Sequence, residues 1–476
     1  MELFTKAKSG IKWNSVSQFG RQAIQIISTI IYTRYITPQD FGLMSMAMVI
    51  IGFLNVFRDL GTSSAIIQQQ EINEELLSSV FWYNIFFGVT VTLIIYLCSS
   101  FFSHFYNETR LENIFQILSL TFFISSLGIA HQSILEKSLR FDLLAKLELL
   151  ATFTGSGVGV VMSINNFGVM SLVFQAIVTT SVSSFFLFTF SQWKPKLTFH
   201  TNEMKKISRF SLNLTGYSIF NYAVRNADNL LIGKYLGAQQ LGYYNLAYRI
   251  LLYPIQSITA VISRVMFPVF SKLQDDIVLF RQTYLKMVKT IAFITFPMML
   301  GLMAVSKYFV FSFFGKEWEP VILLLLIFSP IALIQSIDAT TGIIFQAMGR
   351  SDWLFRWGIA TGILALLSFT IGLQWGITGV AISYLFATMI WTYPGFAIPF
   401  RLVKLTVKEL VSNIRNSIVF SAIMSSIVFA SSKIFYLSEF VTINLFFLIV
   451  VGSLTYIAIN FFYNKEELKT FLMALK

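Results

Sequence analysis

Long apolar segments recur from one end of the chain to the other, and each is long enough to cross a lipid bilayer. We count roughly 14 of them, each about 20 residues long, which is the length a helix needs to span the hydrocarbon core. They start near Trp13, Phe41, Leu77, Leu111, Leu143, Phe167, Phe210, Leu241, Thr283, Val321, Leu354, Gly376, Ile414 and Val441. Charged residues are only 12% of the 476 residues, against about 25% in soluble domains. The sequence therefore predicts an all-α integral membrane protein with about 14 transmembrane helices.

The basic residues are distributed unevenly between the two sides of the membrane. With the N-terminus in the cytoplasm, most of the 35 lysines and arginines fall in cytoplasmic loops and tails. The opposite side receives only Arg34, Arg110, Lys234, Lys307, Lys316 and Lys433. This asymmetry follows the positive-inside rule and accounts for the net charge of +12 without nucleic acid as a partner. We expect a multi-pass protein whose termini are both cytoplasmic.

Residues suited to catalysis or metal binding are scarce. The single cysteine, Cys98, excludes an internal disulfide. The three histidines, His104, His131 and His200, are too few and too scattered for a metal site. No Ser/His/Asp, phosphate-loop or paired-carboxylate signature is visible. We therefore expect no enzymatic activity, no catalytic residues, no metal and no cofactor other than a coupling ion, H⁺ or Na⁺.

An internal repeat divides the chain. The segment RYITPQDFGL at 34–43 aligns with KYLGAQQLGY at 234–243, with Tyr, Gln and Gly matching at positions 200 residues apart. Weaker matches pair Arg140 with Arg350 and Gly168 with Gly376. We predict an N-lobe over 1–200 and a C-lobe over 201–400, with six spans each, followed by two additional helices and a cytoplasmic tail over 401–476. An even number of spans gives both lobes the same orientation, so their pseudo-symmetry axis runs along the membrane normal with a cleft between them.

Polar side chains line one face of the first helix of each predicted lobe. In the first span Asn14, Gln18, Arg21, Gln25 and Ser28 recur every three or four residues, and in the seventh span Asn213, Tyr217, Asn221, Arg225 and Asp228 do the same. An arginine near the bilayer centre costs about 2.5–3.5 kcal/mol on insertion scales, so water, a carboxylate or an anionic ligand must offset it. We predict that Arg21, Arg225 and Arg249, with Gln18, Gln25, Asn221 and Tyr217, line a central cationic cavity that binds substrate.

Purely structural roles for these residues are also consistent with the sequence. Arg225 and Asp228 stand at i and i+3 and can neutralise each other. The stripes can also be helix-packing contacts. Asp228 and Asp338 are candidates for coupling transport to an ion, although Asp338 is equally suited to a helix end near the cytoplasm. Glu148, near a cytoplasmic helix start, is assigned only the favourable interaction of an acid with the positive end of the helix dipole.

Several segments resemble one known family. They read WNSVSQFGR at 13–21, TPQDFGL at 37–43, DLG at 59–61, RNADNLLIG at 225–233 and LGYYNLAYR at 241–249. They are similar to bacterial polysaccharide flippases of the MATE-like multidrug/oligosaccharidyl-lipid/polysaccharide exporter superfamily, in the branch with the colanic and teichuronic acid exporters. The resemblance covers essentially the full length and is densest in the first two spans of each lobe.

The resemblance implies a two-lobed transporter of the bacterial cytoplasmic membrane that works by alternating access. Similar proteins move undecaprenyl-pyrophosphate-linked sugar repeat units to the outer leaflet for surface polysaccharide biosynthesis, driven by an H⁺ or Na⁺ gradient. Membrane lipids and the polysaccharide polymerase and assembly machinery are the further partners it implies. A flippase for peptidoglycan lipid precursors and a MATE-type small-molecule exporter are alternatives. A polytopic glycan polymerase or transferase is a rival from another class, but its large outer loop is not seen here.

Overall fold

A computed structural model describes residues 2–57, 66, 74–200, 221–434 and 440–465. Within these residues the backbone is almost wholly helical, and the chain divides into two compact units. Unit 1 covers Met1–Gly242 and unit 2 covers Tyr243–Lys476. The predicted lobe boundary near residue 200 borders the stretch 201–220, which lies outside the described residues, and it stays a prediction, as does the tail beyond 465.

The helices of unit 1 pack largely as sequential neighbours. They are α1 (Glu2–Tyr35), α2 (Pro38–Asn55), α3 (Glu74–Tyr106), α4 (Arg110–Lys137), α5 (Phe141–Ile164), α6 (Val169–Phe190) and α7 (Ala227–Leu236). α3 packs along α4 and α5 along α6, while α1 lies against α5. Short loops between antiparallel helices make this kind of pairing the simplest packing within a helical bundle.

Unit 2 follows the same scheme and carries two more helices. Helix α8 (Ala238–Lys272) begins in the last residues of unit 1. It is followed by α9 (Ile277–Phe313), α10 (Pro320–Asp338), α11 (Thr341–Ala347), α12 (Ser351–Gly372), α13 (Gly376–Leu402), α14 (Val407–Ile434) and α15 (Val441–Tyr463). α9 packs along α10 and α12 along α13, and the additional helices α14 and α15 both lie on α9. The Tyr456 hydroxyl of α15 donates to the Phe293 carbonyl of α9 at 3.0 Å.

The repeated sequence motifs fall at equivalent structural positions. α2 begins at Pro38 and α8 at Ala238, the same point of the first repeat. The backbone turns with positive φ at both Gly168 and Gly376, immediately before α6 and at the start of α13. At the start of α2, the Thr37 hydroxyl accepts a hydrogen bond from the Asp40 amide at 3.2 Å, a helix N-cap. The repeat read from the sequence thus marks the same helix starts in both copies.

The equivalent glycines of the two copies lie in one contact. A Cβ placed on Gly42 would stand 1.6 Å from the carbonyl oxygen of Ala238, and one placed on Gly242 would stand 2.0 Å from that of Pro38. The contact is therefore reciprocal: each glycine faces the first residue of the other helix. Only glycine allows two helix backbones to approach this closely. We call this contact between the starts of α2 and α8 the glycine crossing.

Large apolar side chains cover the outside of the helices, as a bilayer requires. Leu97, Ile390 and Phe462 are each more than 70% exposed to the surroundings. In the described part of the chain, nine helical stretches are long and apolar enough to cross a membrane, and one of them contains both α12 and α13. α1, α2 and α8 are not among them. The prediction of an all-α membrane protein with about 14 long helices is confirmed.

Candidate functional site

Polar contacts fix the register of α1 on α5. The Ser17 hydroxyl of α1 donates to a Glu148 carboxylate oxygen at 2.6 Å, and the Tyr32 hydroxyl donates to the Ser156 carbonyl at 3.1 Å. Residue numbers rise together along the two helices, so α1 and α5 run parallel. Glycines on α5 allow this approach, since a Cβ on Gly159 would stand 2.3 Å from the Tyr32 oxygen.

Arg21 is paired with a carboxylate from a different helix. Its guanidinium lies 3.4 Å from a Glu148 oxygen, and the two side chains are 38% and 34% exposed. The Arg21 Nε is buried and has no hydrogen-bond partner among the described residues. Glu148 thus compensates, at least in part, the free-energy cost expected for an arginine inside a predicted span. The dipole role assigned to Glu148 from the sequence overlooked this interaction.

The ion pair forms part of the wall of a polar pocket inside unit 1. The cavity has a volume of about 210 Å³ and lies among α1, α4, α5 and α6. Its lining consists mostly of hydroxyl-bearing and small side chains: Arg21, Ser125, Gly128, Gln132, Glu148, Ala151, Thr152, Thr179, Thr180, Ser183, Ser184 and Leu187. Such a concentration of polar groups between membrane-spanning helices points to a functional cavity rather than to lipid contact.

Most hydroxyl groups that line the pocket already donate their proton to a backbone carbonyl. Thr152 donates to the Glu148 carbonyl, Thr179 to Gln175 and Thr180 to Ala176, at 2.7–2.9 Å. Ser125 donates to the Phe122 carbonyl at 3.1 Å, and the Gln132 amide donates to the Glu136 carboxylate at 2.8 Å. A hydroxyl has one proton and two acceptor lone pairs, so these four hydroxyls retain only acceptors. The lining is rich in acceptors, with Arg21 as its charged donor.

The polar stripe predicted on α1 spreads over more than one environment. Ser28 is 5% exposed and its hydroxyl donates to the Ile24 carbonyl. Gln25 is exposed, whereas Gln18 is half-buried. Arg21 lies between these environments, in the polar pocket. The assignment of Gln18 and Gln25 to a substrate cavity stays a prediction.

The second predicted stripe is described only in part, because Asn213 and Tyr217 lie outside the described residues, as does the segment 59–61. Asn221 is half-buried and Arg225 is exposed. Asp228 is 3% exposed, and its carboxylate accepts a hydrogen bond from the Asn229 amide at 2.7 Å in the first turn of α7. An acid at this position interacts favourably with the helix dipole, whatever else it does.

The remaining candidates lie in unit 2. Arg249 is exposed on α8, a helix whose other face packs Tyr244 and Tyr248 against Phe328. Asp338 ends α10, and its carboxylate lies close to Gly395 of α13, where an added Cβ would stand 3.3 Å from the Oδ1 atom. The residue is thus at a helix end, one of the two roles considered from the sequence, and its candidacy for ion coupling stays a prediction. Among the described residues, no group of three His, Cys, Asp or Glu side chains is suited to hold a metal ion.

A cysteine at position 25 tests whether the exposed part of α1 meets water. In a Cys98→Ser background we expect Gln25→Cys to react with a charged, water-soluble thiol reagent, because glutamine is costly against lipid. Ile27→Cys is the control on the same helix, since Ile27 is 59% exposed and apolar, and it should react at least about tenfold more slowly if it faces lipid. Equal protection of both cysteines would contradict a wet surface at Gln25.

Comparison with known proteins identifies the family. The family model described as polysaccharide biosynthesis protein matches residues 31–323, which is more than half of the chain. The chain belongs to the polysaccharide biosynthesis protein family. The resemblance read from the sequence segments is thereby confirmed.

Individual relatives of this polysaccharide biosynthesis protein extend the match. The lipopolysaccharide biosynthesis protein WzxC of Escherichia coli K12 is 29% identical over 395 residues, covering 82% of this chain and 80% of the relative. The teichuronic acid biosynthesis protein TuaB of Bacillus subtilis is 27% identical over 427 residues, covering 89% of this chain and 88% of the relative. Among solved structures, the lipid II flippase MurJ in an inward closed conformation matches with a TM-score of 0.75 at 18% identity, covering 96% of this chain and 99% of that one. An inward-facing multidrug resistance MATE family transporter matches with a TM-score of 0.63 at 17% identity, covering 81% of this chain and 98% of that one. Likeness at these identities shows the shared fold.

Proposed function

We propose that this protein is a flippase, a transporter and not an enzyme, that moves lipid-linked oligosaccharide units across the membrane for surface polysaccharide biosynthesis. The observation that carries the proposal is its similarity, over most of both chains, to relatives named for making lipopolysaccharide and teichuronic acid. A third relative, from Rhizobium meliloti, is named a succinoglycan biosynthesis transport protein and is 25% identical over 308 residues. Because these polysaccharides differ, the step their proteins share is the handling of a membrane-bound precursor.

Moving an oligosaccharide across a bilayer is a task suited to a polytopic membrane protein. An oligosaccharide carries many hydroxyls, and moving each into hydrocarbon without a hydrogen-bond partner costs several kcal/mol. A path lined by polar side chains removes most of that cost. In unit 1 the polar pocket and the exposed Arg225 can contribute to such a path, and in unit 2 the exposed Arg249 can do so. The guanidinium group of arginine can donate two parallel hydrogen bonds to phosphate oxygens. Arg225 and Arg249 are therefore each a candidate for binding the pyrophosphate of an undecaprenyl-linked substrate.

The finer parts of the proposal concern location and mechanism. We place the protein in the bacterial cytoplasmic membrane with both termini in the cytoplasm, which the distribution of basic residues supports. Alternating access between two lobes is the proposed mechanism. The polysaccharide polymerase and assembly machinery would receive the translocated unit and are its proposed partners.

An ion gradient is the proposed energy source, with Asp338 as the main candidate for coupling and Asp228 as the second. Asp338→Asn keeps the shape of the side chain and removes its charge. We expect an imposed H⁺ or Na⁺ gradient to lose all of its stimulating effect on transport in proteoliposomes, while substrate binding is kept. Asp352→Asn is the control, because Asp352 is an exposed residue paired with Arg350. Full stimulation in Asp338→Asn would remove it from the coupling mechanism.

Deletion of the gene tests the function itself. We expect lipid-linked repeat units of the surface polysaccharide to accumulate on the cytoplasmic leaflet, which mass spectrometry of extracted lipids detects, and surface polysaccharide to be lost. Accumulated peptidoglycan precursors would instead favour the alternative flippase. Wild-type lipids combined with a lost efflux phenotype would favour a small-molecule exporter. Repeat units that reach the outer leaflet but stay unpolymerised would favour a polymerase.

A further inference from the structure

We infer that the polar pocket of unit 1 is a subsite for one sugar ring of the substrate, and that it does not bind the pyrophosphate. This inference rests on the proposed function and assigns a part of the substrate to a particular cavity. It also gives Arg21 a different ligand from the anion predicted from the sequence. The argument uses the charge balance, the hydrogen-bonding character and the size of the pocket.

The charges of the pocket disfavour an anion. Glu148 lies 3.4 Å from the Arg21 guanidinium and lines the same cavity, so the pair is close to neutral. A phosphate group entering here would meet the Glu148 carboxylate as well as Arg21, and like charges repel.

The hydrogen-bonding groups of the pocket match sugar hydroxyls. The hydroxyls of Ser125, Thr152, Thr179 and Thr180 donate to backbone carbonyls of their own helices and present only lone pairs to a guest. Phosphate oxygens are themselves acceptors and gain nothing from such a lining. A sugar hydroxyl donates to an acceptor and can accept from a cationic donor such as the Arg21 guanidinium, which lines the pocket. A mixed lining of many acceptors and one cationic donor therefore suits a polyhydroxyl ligand.

The size of the pocket is also appropriate. Its volume of about 210 Å³ is many times that of a bare monovalent cation, the other guest that acceptors would suit. It is smaller than the roughly 300–1,000 Å³ of sites for drug-sized molecules. One sugar ring, rather than a whole repeat unit, is the guest of matching size and chemistry.

Isosteric substitutions test the subsite without filling it. Thr179→Val and Thr180→Val keep the side-chain shape and remove lone pairs from the pocket. Thr189→Val is the matched control, because Thr189 is on the same helix, donates to the Phe185 carbonyl in the same way, and is exposed outside the pocket. Ser183→Phe is a third variant that fills the cavity. Thermal unfolding of each purified variant shows whether it is folded.

Two probes separate the sugar from the pyrophosphate. The proteins are placed in nanodiscs, and binding is measured for undecaprenyl pyrophosphate and for the lipid-linked repeat unit extracted from the deletion strain. We expect each valine variant to bind the sugar-bearing lipid about three- to tenfold more weakly, as for the loss of one hydrogen bond. Ser183→Phe should weaken it by more than about tenfold. Binding of undecaprenyl pyrophosphate should be unchanged in every variant, and Thr189→Val should change neither.

Three results would overturn the inference, and they can be told apart. Equal weakening of both lipids would mean that the pyrophosphate occupies the pocket. Unchanged binding of the sugar-bearing lipid in the folded pocket variants would mean that no part of the sugar binds there, while the proposed function would stand. Failure of the wild-type protein to bind either lipid would remove both the subsite and the flippase proposal.

Discussion

Replacing Gly42 with alanine is expected to destabilise the protein strongly. The new Cβ would stand 1.6 Å from the Ala238 carbonyl oxygen, and that oxygen belongs to backbone that cannot rotate away. One helix must therefore shift, at a cost of about 1–3 kcal/mol or more. Gly242→Ala should behave in the same way, because its Cβ would stand 2.0 Å from the Pro38 carbonyl oxygen.

Thermal unfolding of purified protein in detergent measures this effect as a drop in Tm. Gly157→Ala is the matched control, since an added Cβ there meets nothing within 4 Å and the residue is inside a helix. Alanine in an open helical position stabilises by roughly 0.5–1 kcal/mol relative to glycine, so the control should keep or raise the Tm. A Tm for Gly42→Ala equal to that of Gly157→Ala would show that the two helix starts do not cross this closely in the membrane protein.

Removing the Glu148 carboxylate is expected to give the second large effect. Glu148→Ala leaves Arg21 on α1 without its partner carboxylate. A fully buried pair loses roughly 3–5 kcal/mol when one partner is removed. Because about one third of each side chain is exposed here, we expect a smaller loss of about 1–2 kcal/mol. The variant should melt at a lower temperature and should transport less lipid-linked oligosaccharide.

A double variant separates stability from transport. Arg21→Met combined with Glu148→Met removes both charges and keeps apolar bulk, which is often neutral or stabilising for an enclosed pair. We expect the Tm to return to the wild-type value while transport stays reduced, because the charged donor of the pocket is gone. Asp352→Ala, which breaks the exposed pair with Arg350, is the control and should change neither property. Wild-type transport by the double variant would exclude a role for the pair in moving substrate.

The sequence was sufficient to predict the helices because the bilayer leaves so few alternatives. Each span must satisfy its backbone N–H and C=O groups by hydrogen bonds within the segment. Apolar segments of the right length therefore form helices whatever their neighbours are. The repeat could be read partly because one of its landmark pairs, Gly168 with Gly376, has positive φ at both positions, a conformation that favours glycine. Positions of this kind depend on local geometry, which a sequence records directly.

The partner of Arg21 could not be found in the same way. Periodicity orders residues around one helix, and within α1 no acidic residue is one turn from Arg21. Glu148 comes from a helix more than a hundred residues later, and only tertiary packing brings it within 3.4 Å. A signal was nevertheless present, because Glu148 stands between leucines inside a predicted span. A carboxylate there requires a partner. The dipole interpretation explained Glu148 by its own helix alone and did not identify Arg21 as its partner.

The glycine crossing also bears on how such a chain can arise. In a symmetric homodimer each residue on the axis meets its own copy, so one favourable side chain serves both partners. A six-span precursor with a single glycine at this position would have satisfied both sides of the contact at once. In the single chain the two halves of the contact lie at different positions, 42 and 242, and each carries glycine. A substitution at either position therefore alters only one half of a contact that a homodimer would lose twice over.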